Sequence, residues 1–232
     1  MVATGIMVSS VSALPLLVLM TLSSAPSVDA AKDWALPGCQ TTCGRVDVPY
    51  PFGIGANCFR PGFEITCDGS SVAFLAGTGY KVLNLSVVPA GARVELPIAW
   101  TCYDRSGNRR SYESEAPVRF NPQGVFRISD VHNQLFVVGC DVTAYIQSRP
   151  NSIRSAGYPY EYYTGCVSYC RRAEIVRDGR CSGVGCCRVD IPPDLTDNSV
   201  GVDTDDEESL AVRRLIYNFS PCSYGFLVER NS

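Results

Sequence analysis

The chain has 232 residues and a formal net charge of −3, from 20 Lys and Arg against 23 Asp and Glu, with one His. That near balance hides a division, because residues 39–188 carry 16 basic and 12 acidic side chains whereas residues 189–232 carry 3 and 9. A basic body with an acidic tail suits an anionic partner on the body, and twelve cysteines argue against a reducing compartment.

In chain order, the first thirty residues stand apart. Residues 13–24 (ALPLLVLMTLSS) form an apolar run followed by APSVDA, with small residues at Val28 and Ala30. This pattern predicts a secretory signal peptide over residues 1–30, cut after Ala30, although no Lys or Arg precedes Lys32. The run is short for a bilayer span of roughly 20 residues and carries Pro15, and no second run of spanning length follows. The mature chain is therefore expected to be secreted without a membrane span, with room for one large or two small domains.

All twelve cysteines lie beyond the cut: Cys39, Cys43, Cys58, Cys67, Cys102, Cys140, Cys166, Cys170, Cys181, Cys186, Cys187 and Cys222. An even number in a secreted chain reads as a framework of six disulfides. Zinc competes for Cys166-x-x-x-Cys170 and Cys186-Cys187, but thiolate zinc sites belong to reducing compartments and His132 is the sole imidazole. Neither a metal nor a cofactor is expected. Cys186 and Cys187 should bond to different partners, since a bridge between neighbours is strained. Asn84-Leu-Ser86 and Asn218-Phe-Ser220 are sequons and candidate glycan acceptors.

Residues 47–59 (DVPYPFGIGANCF) hold two prolines, two glycines and three aromatic rings. Pro49 and Pro51 fix φ and withhold ladder donors, so the segment reads as a stiff bend. Gly53 and Gly55 permit tight turns. Phe52 is expected to brace a small β core, whereas Tyr50 stays open between bracing and presenting a ring to a sugar.

Strand patterns dominate the remainder. KVLNLSVV (81–88) alternates Leu83, Leu85 and Val87 on one face, and RVELPI (93–98) alternates Val94, Leu96 and Ile98. GVFRI, QLFVVGC and CCRVDI read as further short strands. Two helices are candidates. One is residues 204–214, where Thr204 and Glu207 resemble a capping box and Arg213 and Arg214 close the far end, with a solvated acidic loop as the competing view. The other starts near Cys166, placing Cys166 and Cys170 on one helical face. Residues 146–165, rich in Ser, Pro, Gly and Tyr, read as the connection between two stapled lobes, 31–145 and 166–232. The expected fold is mainly β, a small two-lobed, disulfide-rich extracellular protein with little helix.

No catalytic residue is assigned. His132 lies in DVHNQ, which has no nucleophile motif around it. DTDDEE (203–208) lacks the glycine and ligand spacing of a helix-loop-helix calcium site and reads as a solvated negative surface. Among the basic residues only Lys32 and Lys81 are lysines, and Arg grips carboxylates with a planar fork. Arg45 and Arg60 flank the bend, and DRSGNRR supplies Arg105, Arg109 and Arg110 on a turn. Arg171, Arg172, Arg177 and Arg180 form a second group. Nucleic acid is not an expected partner for a secreted chain.

Together these landmarks resemble a plant family. CQTTCGRVDVPYPFGIGANCFRPGFEITCD (39–68) resembles the galacturonan-binding domain at the extracellular end of wall-associated receptor kinases. VVGCD, GCVSYC, GVGCCRVDIP and NFSPCSYGFLVE resemble the rest of that ectodomain, so the resemblance covers residues 39–230. It implies non-catalytic binding of an acidic cell-wall polysaccharide, pectin (polygalacturonate), by a secreted protein at the plant cell wall. Arg45, Tyr50, Arg60, Arg105, Arg109 and Arg110 are the candidate contacts. Family receptors continue into epidermal-growth-factor-like repeats, a membrane span and a Ser/Thr kinase, and no kinase loop is found here. The chain is thus expected to be a short secreted relative, or else a truncated receptor whose ectodomain is membrane-attached. The alternative function is a disulfide-rich protein that binds a receptor ectodomain or another protein.

Overall fold

Pro and Gly recur every few residues along the chain and keep its strands short. A computed structural model describes residues 3–8, 34–113, 115–118, 125–148, 162–176, 180–195, 198–203 and 209–230. The first strands are β1 (Ala3–Val8), β2 (Thr42–Cys43), β3 (Val46–Asp47), β4 (Ile65–Cys67), β5 (Ala73–Leu75) and β6 (Val82–Val87). Next come β7 (Ala90–Leu96), β8 (Ala99–Tyr103), β9 (Arg109–Glu113), β10 (Glu115–Val118), β11 (Arg127–Ile128) and β12 (Asn133–Val138). β13 (Val142–Ser148), β14 (Tyr163–Ser168), β15 (Cys186–Asp190), β16 (Asn198–Asp203) and β17 (Cys222–Glu229) follow, with one α-helix among the described residues, α1 (Ser209–Ile216). The protein is mainly β, as its alternating patterns predict.

Three sheets carry the fold, in the orders β11-β1-β7-β6, β10-β16-β13-β14 and β15-β12-β17-β8-β9, with hairpins β2-β3 and β4-β5 beside them. Strands from before and after residues 146–165 share these sheets. β13 pairs with β14, and β12 runs between β15 and β17. An apolar core running from Val48, Phe52 and Phe63 through Leu135 and Ile146 to Leu227 joins the same parts. Most of the expected connection, residues 149–161, lies outside the described residues.

All twelve cysteines are paired, with no free thiol. Cys39–Cys58 and Cys43–Cys67 staple the first part, and Cys166–Cys187 and Cys181–Cys186 the last. Cys102–Cys222 and Cys140–Cys170 tie one to the other. Cys186 and Cys187 have different partners, as the strain argument requires.

Two local expectations change. The β6–β7 register shifts between Val82 and Asn84, so Val82 and Leu85 are buried while Val87 is 42% exposed. A bulge there resets the strict alternation of Leu83, Leu85 and Val87. The segment around Cys166 is strand β14 rather than a helix, because its Tyr, Thr and Val residues pair along β13 from Tyr163 to Ser168. Cys166 and Cys170 consequently bond to Cys187 and Cys140 instead of sharing a helical face.

α1 overlaps the helix expected over 204–214, of which residues 204–208 lie outside the described residues. Val212 and Ile216, four residues apart on one helical face, pack with Cys140 and Cys170. Gly201 has a packing reason of its own: a Cβ there would overlap the Tyr145 ring, which stacks on Tyr163 at 4.8 Å between centroids. β1 lies within the segment read as a leader, between β7 and β11. Residues 9–33, which include the apolar run, lie outside the described residues. No helix among the described residues is long and apolar enough to cross a membrane.

Candidate polysaccharide-binding site

The bend at residues 47–59 separates its two central aromatic residues. The Phe52 N–H donates to the Pro49 carbonyl (2.8 Å), and the Tyr50–Pro51 peptide is cis. Phe52 is 3% exposed and packs edge-on against Phe63 (5.3 Å) and stacked on Phe126 (6.5 Å). Gly53 is required where it stands, because a Cβ would overlap the Cys58 carbonyl. The chain crosses there to bridge Glu64, with the Ile65 N–H donating to the Gly53 carbonyl.

Tyr50 points the other way and is 42% exposed. Its N–H donates to the Trp34 carbonyl at 2.7 Å, which brings a second exposed aromatic residue beside it. The Arg60 N–H donates to the Pro51 carbonyl at 3.0 Å, so exposed Arg60 also roots at this edge. Arg45 is exposed on the β2–β3 turn. A nearby cleft of about 400 Å³, lined by Phe59, Gly62, Glu64, Leu75 and Phe126 among others, offers a carboxylate and no cation among the described residues. Uronate therefore suits the outer edge of the bend better than this cleft.

The second candidate group sits on the β8–β9 turn. Asp104 organises it by accepting the N–H groups of Ser106 (2.8 Å) and Asn108 (3.0 Å). The Asn108 hydrogen bond, with smaller help from Ser106 and the Arg110 charge, holds the Asp104 carboxyl below its usual value of 3.8. Register then shifts between Cys102 and Tyr103, with Ser111 opposite Cys102 and Arg109 opposite Tyr103. Arg110 is the extra residue, so this bulge interrupts the alternation that would send neighbouring arginines to opposite faces.

α1 completes this surface, a contribution hidden from local sequence reading. Gly107 lets the helix approach, since a Cβ there would lie 3.0 Å from the Leu210 carbonyl, and the Arg214 Nε donates to the Ser106 carbonyl at 2.8 Å. Arg213, nearly buried, lies 4.3 Å from the Tyr103 ring centroid. Arg105 lies 6.0 Å from the Tyr217 ring and Arg109 5.2 Å from Tyr112. Cys102–Cys222 clamps β8 to β17, which leaves α1 through a short turn. Arg105, Arg109 and Arg110 are exposed and share one turn, while Arg213 and Arg214 hold α1 against it.

Other cations are engaged elsewhere: Lys81 with Glu95 (2.8 Å), Arg93 with Glu229, and Arg230 with Asp190 (2.8 Å). In the second arginine group, Arg171 stacks on Tyr169 at 5.2 Å, and Arg177 lies outside the described residues. Both sequon asparagines, Asn84 on β6 and Asn218 after α1, are exposed. Trp34, Tyr112, Tyr217, Arg213 and Arg214 were absent from the sequence-based contacts. Trp34, an aromatic residue five positions before the first cysteine, was the most accessible of them to sequence reasoning.

Residues 39–93, which contain the bend and both of its disulfides, match the family described as wall-associated receptor kinase galacturonan-binding. Wall-associated receptor kinase 2 of Arabidopsis thaliana is 34% identical over 194 residues, covering 82% of this chain and 24% of the relative. The chain is a wall-associated-kinase-like ectodomain. Wall-associated receptor kinase 1 of the same plant is 31% identical over 196 residues, again 82% of this ectodomain and 24% of the relative. The wall-associated-kinase-like ectodomain therefore spans about a quarter of the length of the curated relatives it matches. No solved structure matches it. Its matched segment holds Arg45, Tyr50 and Arg60, whereas the β8–β9 turn lies beyond residue 93.

Proposed function

We propose that this wall-associated-kinase-like ectodomain binds de-esterified pectin in the extracellular space of the plant cell wall, without catalysis. The match of residues 39–93 to a galacturonan-binding family carries the reading. The exposed edge bearing Tyr50, Trp34 and Arg60, with Arg45 nearby in sequence, supports a place for it. Polygalacturonate presents one carboxylate per sugar, which an arginine fork accepts, and a pyranose C–H face, which a tyrosine ring accepts. Arg105, Arg109 and Arg110 form a second set of contacts on the β8–β9 turn. Secretion by a cleaved leader and glycans on Asn84 and Asn218 belong to the same reading.

Retention on immobilised polygalacturonate, eluted with rising salt, tests the proposal. Exposed charges are screened over about 8 Å at physiological ionic strength, so salt should release the protein. Arg109→Gln with Arg110→Gln removes two charges and should lower the eluting salt. A folded double variant that elutes with the parent removes this pair from the site. A parent that ignores de-esterified pectin at low salt refutes the polysaccharide reading, leaving a protein partner as the alternative.

A further inference from the structure

The second sequon stands at the rim of the arginine–tyrosine surface. Tyr217, whose ring lies 6.0 Å from the Arg105 guanidinium carbon, immediately precedes Asn218. Asn218 is exposed, and its backbone position is set on both sides. The Phe219 N–H and the Ser220 N–H both donate to the Ile216 carbonyl, at 3.1 and 2.8 Å. Phe219 packs against the Cys140, Cys170, Val212 and Ile216 cluster, while the Ser220 Oγ accepts the Cys140 N–H at 3.0 Å. A glycan attached at Asn218 would therefore rise from a fixed root, one residue from a candidate contact.

We infer that N-glycosylation at Asn218 restricts access of long polyuronate chains to the β8–β9 turn. The inference rests on the pectin reading above. Neighbouring side chains at a helix end do not face the same way, so the glycan borders the Tyr217 ring instead of covering it. A border obstructs a polymer that must run on past the rim. It obstructs a short oligomer, which can sit wholly on the turn, much less. Asn84 makes a natural control: its ladder partner Arg93 is already engaged with Glu229, and no arginine of the β8–β9 turn lies on β6 or β7.

The experiment compares the parent, Asn218→Gln, Asn84→Gln and Arg105→Gln/Arg109→Gln/Arg110→Gln, all secreted from an N-glycosylating host. Mass measurement of the parent's tryptic glycopeptides should show Asn218 occupied. On long immobilised polygalacturonate, Asn218→Gln should elute at higher salt than the parent, and Asn84→Gln should elute with it. Enzymatic deglycosylation of the parent should reproduce the Asn218→Gln shift, while short galacturonate oligomers should separate the two proteins little. An unoccupied Asn218 overturns the inference. So does an unshifted Asn218→Gln when the triple arginine variant elutes early, and that outcome leaves the pectin reading intact. If neither parent nor Asn218→Gln is retained at the lowest salt, the pectin reading itself has failed.

Discussion

Tyr50 and Phe52, two residues apart in one rigid bend, should respond in opposite ways to truncation. Phe52 is 3% exposed and meets two other rings, so Phe52→Ala removes a filled core position. Deleting a buried phenyl ring costs about 3–5 kcal/mol. At about 2–4 °C per kcal/mol for a chain of this size, the melting temperature should fall by about 6–20 °C. The fold should survive this loss, because Cys39–Cys58 and Cys43–Cys67 still close the loops around the bend. Tyr50 is 42% exposed and its hydrogen bond to the Trp34 carbonyl uses the backbone N–H, which Tyr50→Ala retains. Its stability change should stay within about 0.5 kcal/mol, in the range of ordinary surface substitutions. On polygalacturonate the order reverses: Tyr50→Ala should elute at lower salt, whereas folded Phe52→Ala should elute near the parent. Calorimetry and salt elution of the same preparations give both quantities. Equal melting losses for the two variants would refute the division of labour. Unchanged retention of Tyr50→Ala would remove its ring from the sugar contact.

Gly201→Ala should destabilise by about 1–3 kcal/mol through overlap with the Tyr145 ring. In a Tyr145→Ala background the same change should be neutral or stabilising by about 0.4–1 kcal/mol, and additive losses in urea titrations would falsify the overlap. Replacing Cys102 and Cys222 together by Ala opens a link between residues 120 apart, worth about 4.7 kcal/mol for a loop of that order and less here because Cys140–Cys170 shortens it. That variant should lose retention together with stability, and unchanged retention would separate the turn from the site. Amino-terminal sequencing of the secreted protein should begin at Ala31, a form that lacks β1 and leaves the β7 edge it covers open. Recovery of residues 3–8 in the secreted protein would make β1 a permanent strand.

The parts legible in the sequence are those decided by short-range chemistry. Two prolines and two glycines define a bend whatever surrounds it, and twelve cysteines in an expected secreted chain pair. Alternation places Val94 and Leu96 inward on β7. It fails on β6 because a single bulged residue reverses the faces, and such a bulge leaves no mark in residue type. Cys166 misled for a related reason, since a three-residue cysteine spacing fits a helix locally while the neighbouring strand decides the outcome. The second surface was half visible. DRSGNRR reveals three arginines on a turn, but Arg213, Arg214 and Tyr217 join them across more than a hundred residues. The hydrogen bond from Arg214 to Ser106 spans 108 positions, and only the sheet order and the Cys102–Cys222 bridge bring its ends together.

If the proposed pectin binding holds, this geometry favours a polymer over a short oligomer as the ligand. An exposed arginine–carboxylate pair contributes about 0.2–1 kcal/mol, so three on the β8–β9 turn contribute at most about 3 kcal/mol. That is below the roughly 4.1 kcal/mol of a millimolar complex. Neither the turn nor the bend can therefore hold a short oligomer well by charge alone. Both are braced before any ligand arrives, one by Cys39–Cys58, Cys43–Cys67 and the Phe52 cluster, the other by Cys102–Cys222 and the α1 contacts. Bracing limits the ordering penalty, about 0.5–1.5 kcal/mol for each long side chain that binding would otherwise immobilise. The remaining gain must come from linkage, since a chain held at one surface meets the next contact at raised effective concentration. Weak, pre-formed and repeated contacts discriminate by ligand length more than by the identity of any single sugar, which is the selectivity expected of a protein that registers long de-esterified stretches and ignores their fragments.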